Sequence, residues 1–280
     1  MKISILGYGT FGQSLGIYLE RLGYEIIKED ITEDTEIIFV TVPSVNVLDV
    51  LIKFKDKLDN KKIIICSKGL SFNGELISVA IENDLFLKNF VNNIFFFYGP
   101  TMAEGLKNGE ISGAVLSGRD GKDEIKNILK SDYLRIELSE DIVGSQIGAA
   151  LKNVMSLFLG MCEGASLGDN TKAYIFTKCV EEVASIAESL GGKNKTIFGL
   201  SCMGDLTLVS RSRNIGIRIG RGDKLEDILK ETNYTIESLN TLKNIKILLD
   251  KNSIKAPIIE SIYSIVYENM SIVESVRGIK

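Results

Sequence analysis

Histidine is absent from this 280-residue chain. That removes the commonest general acid–base and the commonest metal ligand. A proton in any catalytic step must come from Lys, Asp, Glu, Tyr, Cys or water, and no metal site is expected. Cysteine is scarce: Cys66, Cys162, Cys179 and Cys202 are scattered, with no Cys-x-x-Cys pair. A chain of this length needs no disulfide staples, so reduced thiols and a cytoplasmic location are expected. Excess positive charge is also lacking. Lys plus Arg number 33 against 37 for Asp plus Glu, a net charge of −4. This is not the footprint of a nucleic-acid partner, and any positive field for an anionic substrate must be local. No apolar run approaches the ~18–20 residues of a membrane helix. The opening Met1–Gly7 reads as a strand rather than a signal peptide, because Gly7 ends the apolar stretch too soon.

What is present is ordinary globular chemistry, 45% hydrophobic and 25% charged, in a length that suits two domains. From Lys2 to about Leu138, short β-branched runs alternate with helix-like stretches. The strands are expected at 2–6, 25–28, 36–42, 62–66, 94–98, 113–117 and 134–138. The helices are expected at 11–22, 45–58, 73–84, 102–108 and 121–130. Such alternation predicts an α/β fold with a mostly parallel sheet covered on both faces, and ligands at the carboxyl ends of its strands.

The first strand end is Gly7-Tyr8-Gly9-Thr10-Phe11-Gly12, after a strand and opening a helix, the context of a dinucleotide fingerprint. Gly7 permits the turn, Gly9 lets backbone approach a pyrophosphate, and Gly12 lets helix and strand pack closely. The helix start then meets the anion. The second strand closes with Lys28-Glu29-Asp30, and Asp30 lies 18 residues after Gly12. An acid near this spacing holds the ribose 2′-hydroxyl of NAD, whereas a base suits NADP. Both signs occur here side by side, so the preference stays open. Residues 29–36 are too few for a helical crossover. They can still reach roughly 26–29 Å when extended, enough to cross two strand spacings. A Rossmann-type domain shortened by about one strand–helix unit follows.

Other strand ends run into Pro43-Ser44, Ser67-Lys68-Gly69 and Gly99-Pro100-Thr101. Lys68 is either a charge beside the sheet end or a solvent-facing loop lysine. From Asp141 the pattern turns helical. Over 142–164, Ile147, Leu151, Val154 and Phe158 form a buried stripe. A second stripe of Ser145, Gly148, Ala149, Lys152 and Ser156 carries one long charged side chain among small ones. Lys152 there is either aimed at a site or snorkelling to water. Gly164 is expected to cap this helix, and Gly168-Asp169-Asn170 to start another over 171–190, closed by Gly191-Gly192. Residues 200–206 and Ser210-Arg211-Ser212-Arg213-Asn214 read as loops, the second able to fork a phosphate or simply to be solvated. Three helices are expected over about 224–272. The division falls near residue 139, giving a dinucleotide-binding domain 1–139 and an all-α domain 140–280.

In order along the chain, Gly7–Gly12, Ser67-Lys68-Gly69-Leu70, Gly99-Pro100-Thr101, Gly148-Ala149-Ala150-Leu151-Lys152-Asn153, Gly168-Asp169-Asn170-Thr171-Lys172-Ala173, Gly204-Asp205-Leu206, Ser212-Arg213-Asn214 and Ala256-Pro257-Ile258 resemble bacterial NAD(P)-dependent glycerol-3-phosphate dehydrogenases. The resemblance implies hydride transfer between a nicotinamide and dihydroxyacetone phosphate, with the product feeding glycerophospholipid synthesis. It implies Lys152 as proton donor and acceptor, acting with Lys68 and Asp205. It places Gly7, Gly9, Thr10, Phe11, Gly12, Lys68, Ala103, Arg213 and Glu237 on NAD or NADP. Substrate would be held by Lys68, Gly99, Thr101, Lys152, Asn153, Asp205, Ser212, Arg213 and Asn214, and a homodimer is compatible. Thr10 and Thr101 replace the family's usual Ser, and Ile236-Glu237-Ser238 replaces Val-Glu-Gly. The stretch after the second strand is much shorter than usual. The competing readings are a ketopantoate-type reductase and a non-catalytic nucleotide-sensing relative.

Overall fold

The computed structural model describes every residue except Asn233, which falls inside the stretch expected to hold three helices. Among the described residues seven strands form one sheet: β1 (Lys2–Leu6), β2 (Glu25–Lys28), β3 (Thr35–Val40), β4 (Lys62–Ile65), β5 (Ile94–Tyr98), β6 (Ser112–Gly118) and β7 (Leu134–Ser139). Their spatial order is β2-β1-β3-β4-β5-β6-β7. The first five are parallel; β6 runs antiparallel to β5 and parallel to β7. Because β1 pairs with both β2 and β3, residues 29–34 carry the chain across β1 without a helix. The sheet is thus the shortened one that the link length predicted.

Five helices cover this sheet: α1 (Thr10–Arg21), α2 (Val47–Lys53), α3 (Ile77–Asn83), α4 (Ala103–Asn108) and α5 (Lys122–Leu129). Successive strand residues face opposite sides, so both faces are apolar. Ile5, Phe39, Ile64 and Phe97 pack with Leu15, Leu106 and Ile125 on one face. Val40, Ile65 and Phe96 pack with Val47, Leu51 and Ile77 on the other. Two helices are shorter than expected. The stretch 45–58 forms only α2, with 3₁₀ turns on either side, and 73–84 becomes helical only at Ile77.

The helical part begins with α6 (Ile142–Gly164) and α7 (Asp169–Ser189), then α8 (Asn194–Ile197) and a π-helical turn over Leu200–Gly204. It continues with α9 (Arg211–Gly220), α10 (Leu225–Glu231), α11 (Glu237–Asn252), α12 (Pro257–Glu268) and α13 (Ile272–Gly278). Asp141 caps α6 by accepting from Gly144 N–H at 2.8 Å. By length and composition α6 could cross a membrane, a property the reading of apolar runs missed. Yet 89% of its most apolar window is buried inside the protein, so its apolar character is accounted for by the core.

The segment from Ser210 is not a loop. It opens α9, which lies directly on α6 through four glycines. A Cβ on Gly160 would sit 2.1 Å from Arg213 O, and one on Gly216 would sit 2.0 Å from Leu157 O. Gly164 and Gly220 make the same backbone contact one turn on. Gly164 therefore serves close helix packing rather than capping, since α6 ends on Ala165. At the start of α12, Ala256 has no hydrogen-bonding side chain to serve as a cap. Glu182 of α7 does so instead, accepting from Ile258 N–H at 2.7 Å and Ile259 N–H at 2.9 Å.

Candidate active site

The fingerprint loop is built as its glycines require. Gly7 has φ +98°, and a Cβ there would meet Val42 N at 2.6 Å. A Cβ on Gly12 would meet Gly7 O at 2.4 Å, while nothing lies within 4 Å of the Cβ position of Gly9. Gly7 and Gly12 are thus pressed against protein, and Gly9 faces open space at the start of α1. No side chain caps that helix, so its first N–H groups and positive end are presented to the cleft.

Across the cleft, one carboxylate gathers two ammonium groups. Lys152 Nζ lies 3.0 Å from Asp205 Oδ1, and Lys68 Nζ lies 2.6 Å from Asp205 Oδ2. Lys68 also donates to Gly99 O at 2.9 Å. Each partner comes from a different element. Lys68 follows β4, Gly99 follows β5, Lys152 sits mid-way along α6, and Asp205 follows the π-helical turn. The turn stands where the sequence predicts a loop. It packs where α6 is smallest: a Cβ on Gly148 would stand 2.8 Å from Cys202 Cβ. The small-residue stripe on α6 thus brings Asp205 to Lys152.

Burial and partners set the charges. Burial works against the ionised form of Asp205, but Lys68 and Lys152 outweigh it and hold the carboxyl below its ordinary range. Burial, and then the charge of Lys68, lower Lys152 from its ordinary value, against the pull of Asp205 and Glu237. Burial raises Glu237, against Lys68, Lys152 and Arg211.

A cleft of about 610 Å³ joins these parts. It is lined by Thr10, Phe11, Lys68, Ala103, Lys152, Asn153, Ser212 and Glu237, all expected from the sequence. Thr41, Pro43, Met102, Ser210, Arg211 and Tyr234 also line it. Thr101 lies just behind, buried, with its hydroxyl donating to Gly99 O at 3.3 Å. A larger cavity, about 720 Å³, opens between the α9–α10 turn and α12–α13 but holds none of the expected residues.

Two expected residues are not brought in. Arg213 Nε donates to Glu163 Oε2 on α6 at 3.1 Å, and Asn214 is exposed; neither lines the cleft. The reason is helical register. At about 100° per residue, side chains two apart point roughly 200° from each other, so Arg211 and Arg213 cannot share a face. Arg211 takes the cleft side, its guanidinium 4.7 Å from the centre of the Tyr234 ring. A helix beginning at Ser210, recognised in the sequence, would have exposed this choice.

Among the described residues no cluster of three or more His, Cys, Asp or Glu could hold a metal ion. Two family models match the chain: the N-terminus of NAD-dependent glycerol-3-phosphate dehydrogenase over residues 27–123, and its C-terminus over 141–277. A glycerol-3-phosphate dehydrogenase [NAD(P)+] of Thermoanaerobacter sp. (strain X514) is 29% identical, over 100% of this chain and 96% of that protein. The alignment spans 323 positions against 280 residues here, so the relative carries residues this shortened chain lacks. The enzyme of the same name from Fusobacterium nucleatum is also 29% identical, over 99% and 96%. The fold matches the crystal structure of glycerol-3-phosphate dehydrogenase from Coxiella burnetii with a TM-score of 0.89 at 21% identity, covering 99% of this chain and 97% of that one. A ketopantoate reductase from Staphylococcus aureus superposes less closely, with a TM-score of 0.55 at 13% identity over the full length of both chains. Glycine fingerprint, paired lysines and chain-long similarity agree: the chain belongs to the NAD-dependent glycerol-3-phosphate dehydrogenase family.

Proposed function

We propose that this enzyme interconverts dihydroxyacetone phosphate and sn-glycerol 3-phosphate, with Lys152 as the proton donor and acceptor. The observation that carries the reading is Lys152 itself. It is a nearly sealed ammonium group, 3.0 Å from Asp205, lining the same cleft as the fingerprint residues Thr10 and Phe11. The open space over Gly9 and the uncapped start of α1 fit the pyrophosphate of a dinucleotide. The chemistry NAD or NADP would supply, if held there, is hydride to the ketone carbon in reduction and uptake of hydride from the alcohol carbon in oxidation.

The chain's own residues do the rest. As the ketone oxygen gains negative charge, Lys152 stabilises it and delivers a proton, then recovers it in the reverse direction. Asp205 keeps that ammonium charged against burial and fixes its direction. Lys68, tied to both Asp205 and Gly99 O, forms the wall between the ends of β4 and β5 and adds positive field. Arg211 and Ser212 supply the phosphate subsite from the first turn of α9, where the guanidinium fork and free N–H groups favour an anion. On this reading Arg211 takes the phosphate role that the resemblance implies for Arg213. Asn153 and Glu237 complete the lining, Glu237 on the nicotinamide side.

The working division is a dinucleotide-binding domain of residues 1–139, ending with β7, and a substrate domain of residues 140–280, opening with α6. The four cysteines are free and buried, in keeping with a cytoplasmic enzyme. The test is direct: mix the purified protein with dihydroxyacetone phosphate and follow reduced-nicotinamide absorbance, with NADH and NADPH separately. Consumption is expected with at least one of them. No consumption with either ends the proposal.

A further inference from the structure

The sequence left the coenzyme preference open, with Lys28, Glu29 and Asp30 side by side at the end of β2. The structure separates them. Glu29 extends the β1–β2 ladder by one bond, its N–H donating to Ile5 O at 3.0 Å. Its φ then turns to +58°, a left-handed conformation uncommon for a residue with a Cβ. The turn throws the carboxylate over the fingerprint loop. Oε2 accepts from Gly7 N–H at 3.1 Å and Oε1 from Tyr8 N–H at 2.6 Å. Asp30, the acid at the more familiar spacing, faces elsewhere and pairs with Lys57 at 2.8 Å. Lys28 lies over the Tyr8 ring, 4.9 Å from its centre.

We propose that Glu29 makes this enzyme selective for NAD over NADP, by occupying the place beside the adenosine ribose where a 2′-phosphate would have to stand. The inference rests on the reading of the cleft as a dinucleotide site. A carboxylate offers about four lone-pair sites. Two here are used by the loop, and the side chain is exposed, so it can still accept from a ribose 2′-hydroxyl. A 2′-phosphate has no hydrogen to offer at neutral pH beyond a partial second proton. It brings a charge of about −1.5 to −2 against a fixed carboxylate. Two backbone N–H bonds hold Glu29 in place, so it cannot easily swing aside. Residues 29–34 contain no arginine to compensate; of the neighbouring cations, Lys57 is paired with Asp30 and Lys28 lies over the Tyr8 ring.

The test measures binding rather than turnover. Nicotinamide fluorescence titrations give the dissociation constants of NADH and NADPH for the wild-type enzyme and for Glu29→Gln, which keeps one acceptor for the loop. Wild-type enzyme is expected to bind NADH about 10- to 100-fold more tightly than NADPH, the size of one charge-assisted hydrogen bond. Glu29→Gln should narrow that ratio, largely by tightening NADPH. Competition on the wild-type protein alone gives a second readout that does not depend on the variant folding. Here 5′-AMP should displace NADH, and adenosine 2′,5′-bisphosphate should not. Equal wild-type affinities, an unchanged ratio in the variant, or displacement by the bisphosphate would overturn the role of Glu29 and leave the dinucleotide site standing. If the wild type binds neither coenzyme, the dinucleotide reading falls and this proposal with it.

Discussion

Lys152 Nζ and Asp205 Oδ1 stand 3.0 Å apart, with neither side chain more than 7% exposed. A pair so buried is sensitive to loss of one member, because the other is left charged without water; such losses cost about 3–5 kcal/mol. In Asp205→Asn, two ammonium groups would lose their common counter-charge. Lys152, already discouraged from ionising by burial and by Lys68, would turn neutral and stop donating a proton. Dihydroxyacetone phosphate reduction should fall by about 10²–10⁴-fold, with coenzyme affinity largely kept. Lys152→Ala should fall by the same order. Near-normal kcat in either variant removes that residue from the reaction.

The pH profile follows from the same geometry. In the proposed mechanism, reduction needs the protonated Lys152, and oxidation needs the neutral amine. With its pKa lowered from 10.5, kcat/KM for reduction should decline with rising pH before an ordinary lysine would titrate. Oxidation should rise over the same range. Lys68→Met removes a like charge from its neighbourhood and should move both limbs to higher pH. Limbs that stay in place would show that another group titrates.

Arg211 and Arg213 give opposite expectations. Arg211→Ala removes the guanidinium that lines the cleft, and should raise the KM for dihydroxyacetone phosphate by about 10-fold or more, the scale of a lost hydrogen bond to a charged group. Arg213→Ala breaks only the partly exposed pair with Glu163, a contact of about 0–1 kcal/mol, and should leave KM near wild type. The reverse pattern would return the phosphate subsite to Arg213.

Glu182 ties α12 to α7, and burial pushes its carboxyl up to about 7, against two N–H donors that favour its ionised form. As pH rises from about 4.5, the unfolded chain releases this proton first and the folded chain only near 7. The unfolded state is then favoured, so thermal stability should fall over that window and level off above it. Glu182→Gln should abolish this dependence. It should also lower stability by about 1–3 kcal/mol, since an amide leaves one of the two α12 donors unpaired. A melting temperature with the same pH dependence in both proteins would show that Glu182 does not carry it.

Much of the sheet was readable beforehand because its cause is local. Runs such as Ile63-Ile64-Ile65 and Phe95-Phe96-Phe97 are apolar on both faces, as a strand covered on both sides requires. Lys152 stood out because a long cation among Ser, Gly and Ala on a helix needs a reason. Helix α9 gave no such signal. Its sequence alternates polar and apolar residues and carries two glycines, a poor helix by propensity. What stabilises it is backbone contact with Gly160 and Gly164, some fifty residues earlier. The fourth helix of the C-terminal region, α13, was missed for a simpler reason: at Ile272–Gly278 it is barely two turns long and shows little periodicity.

The order of residues along the chain was enough to specify strands and the glycine loop and to single out Lys68 and Lys152, which the fold brings to one carboxylate, since period, turn chemistry and chain reach act over short distances. Which arginine meets the cleft, and which acid meets the fingerprint loop, depended on helix register and on one left-handed turn. Those are set by how distant segments pack, and neighbouring residues of like chemistry look the same until packing turns one inward and the other out.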